Sequence, residues 1–246
     1  MYKSLYITDT RCIQDLELQN LKAVNLIVGA NNTGKTTVLR AIAAKHRKTT
    51  HSFEFLPIRE HRSMRLGNLW ALMEMIEWDG VIIRDFLIGR LQLIEEKLES
   101  IFLQHYKREN STYGRYLLAK LKGADKLVTT ESLGSGFNHF LEILLSLVTR
   151  KPNDVVLIDG LEGFHYLLFP QVWECIFRLA DNLQVEIQVF VTSSKSDVLP
   201  GFAELWTKYP EMGSLRRLEW YDGKIREIRY EVNELNYAIE WNLAVV

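Results

Sequence analysis

Gly29-Ala30-Asn31-Asn32-Thr33-Gly34-Lys35-Thr36 is the segment of this chain whose residue types and spacing most clearly carry chemistry. It matches the pattern GxxxxGK[ST] at every fixed position. Glycines at the first and sixth positions let the backbone curl, so that N–H groups of the loop point inward. A helix that starts at the loop's end adds favourable potential for anions. Lys35 supplies a point charge near the β- and γ-phosphates of a nucleotide, and Thr36 offers a hydroxyl to Mg²⁺. Candidate nucleotide contacts are therefore Gly29, Asn31, Asn32, Thr33, Gly34, Lys35, Thr36 and Thr37. The expected ligand is ATP; no base-specifying motif is visible, so GTP stays open. The competing explanation is a chance Gly-rich turn. The context counts against it: Val24, Leu26, Ile27 and Val28 read as a buried strand before the loop, and Thr36 to Ala44 reads as a helix after it.

A triphosphate site of this kind also needs a carboxylate at the end of a neighbouring strand. Val155-Val156-Leu157-Ile158-Asp159 offers one. Four apolar residues bury the strand and deliver Asp159 to the sheet edge, where it can hold the Mg²⁺ shell. The competing explanation is an Asp that merely ends the strand. The histidines at 46, 51, 61, 105 and 139 show no HExxH or Cys/His spacing, and Cys12 and Cys175 have no ligand spacing between them. The expected metal is thus only Mg²⁺ carried with the nucleotide, on Thr36 and Asp159. Arg59 is a candidate phosphate contact and Arg62 a weaker one; a surface salt bridge explains either nearly as well.

The elements that must position these groups follow from apolar patterning. Residues 2–28 read as strands around a short turn, and 53–62 as a short strand and turn limited by Pro57. From Leu66 to Tyr106 the pattern reads as mostly helical: Leu66, Leu69, Trp70 and Met73 recur at helical spacing, as do Phe86, Ile94, Leu98 and Ile101. A helical insertion is expected over 64–126, inside a single domain of 1–246. Residues 132–137 read as a Gly-rich turn, 138–148 as an apolar helix, 151–159 as a turn and buried strand, 169–183 as a helix and 185–193 as a strand. Such alternation describes an α/β fold with a mostly parallel central sheet flanked by helices. Residues 215–232 read as a hairpin around Asp222-Gly223, and 232–241 as a short helix.

Composition narrows the partners. The 246 residues are 47% apolar and carry a formal charge of −1, from 30 basic and 31 acidic side chains. This argues against a broadly electropositive nucleic-acid binder. The basic residues Lys107, Arg108, Arg115, Lys120, Lys122 and Lys126 read as a solvated face, with a nucleic-acid contact as the second reading. No basic region followed by an apolar run opens the chain, and no apolar stretch is long enough to cross a bilayer. A cytoplasmic protein with no membrane partner is expected. Trp70, Trp78, Trp173 and Trp206 lie in apolar or helical patterns, so core packing explains them better than base stacking.

Six segments carry a resemblance: TRCIQDLELQNLKAVNLIVGANNTGKTTVLRAI, FLPIREHRS, SLGSGFNHFLEILLSLV, VVLIDGLEGFHY, QVFVTSSKSDVL and RLEWYDGKIREIRYEVNELNYAIE. In this order, over almost the whole chain, they resemble the ATP-binding-cassette-type ATPases. That group includes the structural-maintenance-of-chromosomes (SMC) proteins and the overcoming-lysogenization-defect nucleases. The likeness is greatest to small stand-alone bacterial AAA-type members. It implies a P-loop NTPase fold of ATP-binding-cassette type with an N-terminal antiparallel sheet lobe, and the use of ATP and Mg²⁺. It also implies a nucleotide-dependent homodimer or higher oligomer, in which the P-loop of one subunit faces the signature segment of another. Ser135, Gly134 and Gly136 would then approach the γ-phosphate held by the partner, with Ser132 as the alternative hydroxyl. An ordinary helix start also explains SLGSG. His165 matches a family histidine near the dimer interface; a structural, hydrogen-bonded role is equally open.

Two positions depart from the family pattern. The family has Asp-Glu at the end of this strand, and the Glu polarises the attacking water. Here Gly160 follows Asp159, and Glu162 is the candidate replacement base. The family also has Thr-His-Ser where this chain has Thr192-Ser193-Ser194, so Ser193 stands in for a histidine that contacts the γ-phosphate. The expectation is an ATP-binding protein with weak or absent hydrolysis. It would dimerise around nucleotide as a switch for a partner effector, by analogy in bacterial antiviral defence or a toxin system. The first alternative is a competent Mg²⁺-dependent ATPase in DNA repair, anti-phage defence or a toxin system, using Glu162. Against its chromosomal form, no heptads are sustained for a coiled-coil arm, and no room is expected for a C-terminal nuclease domain. The second is a structural subunit with a vestigial P-loop, against which Lys35, Thr36 and Asp159 all count.

Overall fold

The computed structural model describes residues 1–47, 54–57, 81–107, 113–150, 153–161, 164–181 and 186–246. Arg59, Arg62, Glu162 and the first part of the expected insertion lie outside the described residues. The chain forms two compact units, one of Met1–Arg59 with Arg150–Val246 and one of Glu60–Thr149.

In chain order the elements begin with β1 (Leu5–Thr10), β2 (Ile13–Leu18), β3 (Val24–Val28), α1 (Lys35–Arg47) and β4 (Glu54–Pro57). The second unit holds α2 (Val81–Leu91), β5 (Leu98–Lys107), β6 (Tyr113–Leu121), β7 (Val128–Thr129) and α3 (Ser135–Val148). The first unit resumes with β8 (Val155–Asp159), α4 (Phe169–Ala180), β9 (Gln188–Ser193) and α5 (Leu199–Lys208). It closes with β10 (Gly213–Tyr221), β11 (Lys224–Tyr230) and α6 (Val232–Glu240).

In the first unit a six-stranded sheet runs β11-β10-β3-β9-β8-β4. All its pairings are parallel except β10 with β11. Strands β3, β8 and β9 are buried at every position, as a parallel sheet with both faces covered requires. β1 and β2 form a separate antiparallel pair with Leu5 opposite Leu18 and Ile7 opposite Leu16. Alternation puts these apolar residues on one face, where they join Val38, Leu39 and Ile42 of α1 and Ile27, Leu157 and Phe190 of the sheet in one apolar cluster. α4 and α5 meet through aromatic side chains, with the Trp173 and Phe202 ring centroids 5.0 Å apart.

A buried polar chain starts near the amino ends of β3 and β10, at Asn25 and Ser214, and runs through Arg216, level with Ile27, to Glu227 on β11. Asn25, inside β3, uses its whole amide. It donates to Lys22 O at 2.6 Å and Val189 O at 3.3 Å, and accepts from Lys22 N at 2.9 Å and Ser214 Oγ at 2.8 Å. Ser214 Oγ in turn accepts from Arg216 Nη1 at 2.6 Å. The Arg216 side chain is fully buried; its Nη2 donates to Gln19 O and its Nε lies 2.7 Å from Glu227 Oε1. Burial pushes the Glu227 carboxyl up and the Arg216 guanidinium down, and their mutual attraction opposes both shifts.

The second unit differs from the sequence expectation. Residues 98–107 and 113–121 are paired antiparallel strands, not helix. The reason is a β-bulge: the register shifts between Leu98 and Ser100, leaving Glu99 as an extra residue. Leu98 and Ile101, three apart, therefore oppose Leu121 and Ala119 and share one face. A bulged strand has imitated helical spacing. The unit's helices match the expected character, and α3 buries Phe137, Phe140, Leu141, Leu144 and Leu145.

Replacing Arg216 by Ala leaves Glu227 half-buried without its cation. Urea denaturation should show a loss of about 3 kcal/mol. Arg216→Lys should recover only part of it, because one ammonium cannot serve three acceptors in fork geometry. A midpoint unchanged in Arg216→Ala would contradict this account of the sheet.

Candidate functional site

The parallel registers align the carboxyl ends of three strands. Val28 of β3 pairs with Ser193 of β9, and Asp159 of β8 pairs with Thr192 of β9. The loop that leaves β3 at Gly29 enters α1 at Lys35. Its backbone turns through positive φ at Gly29 (147°), Asn32 (67°) and Gly34 (86°). Of the two glycines, Gly29 is needed for space as well, whereas at Gly34 the nearest atom is the flexible end of Ile225. A Cβ on Gly29 would lie 2.3 Å from Leu218 O, and one on Gly34 2.8 Å from Ile225 Cδ1. Asn is among the few other residue types that adopt the third.

Lys35 is buried, and its Nζ donates to Gly29 O at 2.6 Å and Ala30 O at 2.7 Å. The ammonium is thus folded back along the loop. No acidic residue in the first turn of α1 offsets the positive potential of its N-terminus. Thr36 Oγ1 donates to Asp159 Oδ1 at 3.0 Å. Thr192 Oγ1 donates to the same oxygen at 2.8 Å and accepts from Gly160 N at 2.9 Å. Asp159 Oδ2 receives no hydrogen bond among the described residues. An anionic oxygen beside a threonine hydroxyl is a hard donor set, suited to Mg²⁺ that also binds phosphate.

These groups open on a cavity of about 450 Å³. Of the expected contacts, Asn32, Gly34, Lys35, Thr36, Thr37 and Asp159 line it. Thr33 is buried within the loop, its hydroxyl donating to Ala30 O at 2.9 Å, and Asn31 is exposed. Ser193 is not among the lining residues. It is fully buried, and its hydroxyl accepts from Lys195 N at 3.1 Å in a local turn. His165 is exposed, its ring 4.6 Å from that of Tyr166. Ser135 and Gly136 open α3 in the second unit, after Gly134 at φ 94°. Asn138 braces that turn, donating to Thr130 O at 2.7 Å and Gly134 O at 2.8 Å; Ser132 donates to Thr129 O at 2.6 Å. A mostly apolar cavity of about 530 Å³, lined by Ile228, Tyr237 and Val245 among others, contains none of these groups.

Arg11, Cys12, Gly160, Thr192 and Trp220 also line the 450 Å³ cavity. None is in the set of contacts expected from sequence. Thr192 had a legible signal, as a hydroxyl ending an apolar strand parallel to the one that carries Asp159. Arg11 and Cys12 lie in the β1–β2 turn, and Trp220 lies near the tip of the β10–β11 hairpin. Only tertiary packing brings those two turns to the loop.

No family model and no curated protein sequence matches the chain. Solved structures do. An SMC head bound to the C-winged helix domain of ScpA aligns with a TM-score of 0.59 at 12% identity, covering 97% of this chain and 99% of that one. The SMC head domain from Thermotoga maritima aligns with a TM-score of 0.52 at 12% identity, covering 93% of this chain and 98% of that one. The chain therefore has the fold of SMC head domains. At this identity the likeness is one of fold.

Gly29→Ala tests the loop. The new Cβ meets backbone rather than a flexible side-chain end, so the expected loss is on the order of 2–3 kcal/mol. Gly123→Ala is the control: its φ is also positive, 76°, but nothing lies within 4 Å of the added carbon. Thermal melts should separate the two, with Gly123→Ala costing about 1 kcal/mol.

Proposed function

We propose that this protein binds ATP with Mg²⁺ at the carboxyl ends of β3, β8 and β9, and that binding rather than rapid hydrolysis is its working step. The observation that carries this reading is the Thr36–Asp159 hydrogen bond of 3.0 Å, in a cavity that Lys35 and the start of α1 also line. Loop N–H groups and Lys35 would hold the β- and γ-phosphates; Thr36 and Asp159 would hold Mg²⁺. The metal's contribution is to neutralise charge on phosphate oxygens. Asp159 is kept in place by two hydroxyls, which orients it before any ligand arrives.

Two features support slow turnover. Gly160 has no side chain to take a proton from water, and its φ of 91° is one that L side chains rarely adopt. The Ser193 hydroxyl is engaged with Lys195, away from the cavity lining. On this reading the nucleotide joins two subunits, with the turn at Ser135 and Gly136 of one meeting the γ-phosphate on the other. Assembly then signals to an effector protein, in antiviral defence or a toxin system. The similarity to an SMC head crystallised with a partner domain supports a protein partner. Among the described residues no helix is long and apolar enough to cross a membrane. A cytoplasmic location belongs to the same proposal.

The test is ATP binding and ATP turnover with Mg²⁺, with Lys35→Ala measured beside the natural protein. Expected results are ATP binding that Lys35→Ala abolishes, turnover near background in both, and a rise in apparent mass with ATP. Robust turnover lost in Lys35→Ala would overturn the slow-hydrolysis reading and point to Glu162. Glu162→Gln should then stop turnover while leaving binding intact.

Gly160→Glu bears on the same point. At its observed φ the new residue should cost about 1–2 kcal/mol of stability and should not create turnover. Vigorous hydrolysis in that variant would show that the missing carboxylate alone had limited the site.

A further inference from the structure

We infer that Trp220 is the platform on which the base of the bound nucleotide stacks, and that the site accepts either purine. This rests on the nucleotide reading above and extends it from the phosphates to the base.

The loop is bordered on two sides. On one side Asp159 and Thr192 meet Thr36. On the other stand the β10–β11 hairpin and the β1–β2 turn. Trp220 and Ile225 are cross-strand partners. Ile225 packs against Gly34, and Trp220 Nε1 donates to Asn32 O at 3.1 Å. Cys12 Sγ lies 3.7 Å from Thr37 Oγ1. With phosphates held at Lys35 and Thr36, the cavity wall left for the nucleoside is Arg11, Cys12 and Trp220.

Trp220 suits the role. It is 50% exposed, yet its indole N–H is tied to the loop, so the ring is oriented. Among the described residues no aromatic ring or cation covers its face. An oriented, uncovered indole is a ready surface for a planar base. Arg11 lines the same cavity with no hydrogen bond or ion pair among the described residues. Its guanidinium can face the α-phosphate. Because the indole's single polar atom is engaged by Asn32 O, Trp220 presents only a π-face. Stacking of that kind does not separate adenine from guanine.

The experiment is calorimetric titration of the full chain with ATP, GTP and inorganic tripolyphosphate, each with Mg²⁺. The natural protein is compared with Trp220→Ala, Trp220→Phe and Lys35→Ala. ATP and GTP should bind the natural protein within about fivefold of each other. Trp220→Ala should weaken both by about tenfold or more and leave tripolyphosphate within about twofold. Trp220→Phe keeps a π-face without the N–H and should restore most of the loss. Equal weakening of tripolyphosphate in Trp220→Ala, not rescued by Phe, would overturn the inference and make Trp220 a brace for the loop. Unchanged ATP affinity in Trp220→Ala, or strong preference for one purine, would also overturn it. Tripolyphosphate binding indifferent to Lys35→Ala would overturn the nucleotide reading itself, and this inference with it.

Discussion

Asp159 Oδ1 accepts two hydroxyls, and through them it joins segments 123 and 33 residues away along the chain. That junction depends on register. Asp159 must end β8 level with Thr192 on β9, while Val28 ends β3 level with Ser193. A slip of one residue in either pairing would turn the carboxylate or the hydroxyl to the opposite face of the sheet. The apolar burial of β3, β8 and β9 on both faces provides adhesion but specifies register weakly, since both faces of each strand are greasy. Polar groups at the strand ends supply the missing specification.

The buried chain from Asn25 through Ser214 and Arg216 to Glu227 does the same along β3, β10 and β11. Asn25 is the polar residue within the VNLIV strand; its bonds to Val189 O and Ser214 Oγ tie β3 to β9 and β10, and its two bonds to Lys22 fix the turn before the strand. Arg216 extends the connection to Gln19, beside the β1–β2 pair, and to β11. An unpaired group anywhere in this chain would cost more than the paired arrangement contributes, so alternative registers are penalised steeply. The sheet is therefore pinned between β8 and β9 by one set of polar groups and across β3, β10 and β11 by another, and the loop hangs from its carboxyl edge.

Much of this was legible in the residues. GxxxxGKT between an apolar β-branched run and a helix, VVLID, and Asp222-Gly223 between two strands all name their local structure through short-range physics. Long-range arrangement was less legible. Residues 98–106 read as helix because a bulge at Glu99 set Leu98 and Ile101 three apart on one face of a strand. The family resemblance put Ser193 where a histidine meets the phosphate; in the structure its hydroxyl closes a local turn onto Lys195, a contact set by backbone geometry that the sequence does not display. Trp220 and Arg11 were invisible as cavity residues because each is defined by where a turn packs. The family resemblance indicated the architecture, and the solved SMC heads agree with it at the level of fold.

The backbone at Gly160 has a consequence for timing. β8 runs into positive φ at Gly160, a backbone that disfavours the side chain a general base would need at that position. On the function proposed above, a switch built this way would reset by letting its nucleotide go. Its memory is then a residence time, governed by off-rate and by the surrounding ratio of ATP to ADP, and it consumes almost no fuel while it waits. Such a device reports the energy state of its surroundings continuously, where a hydrolytic clock would report only how long ago it was wound.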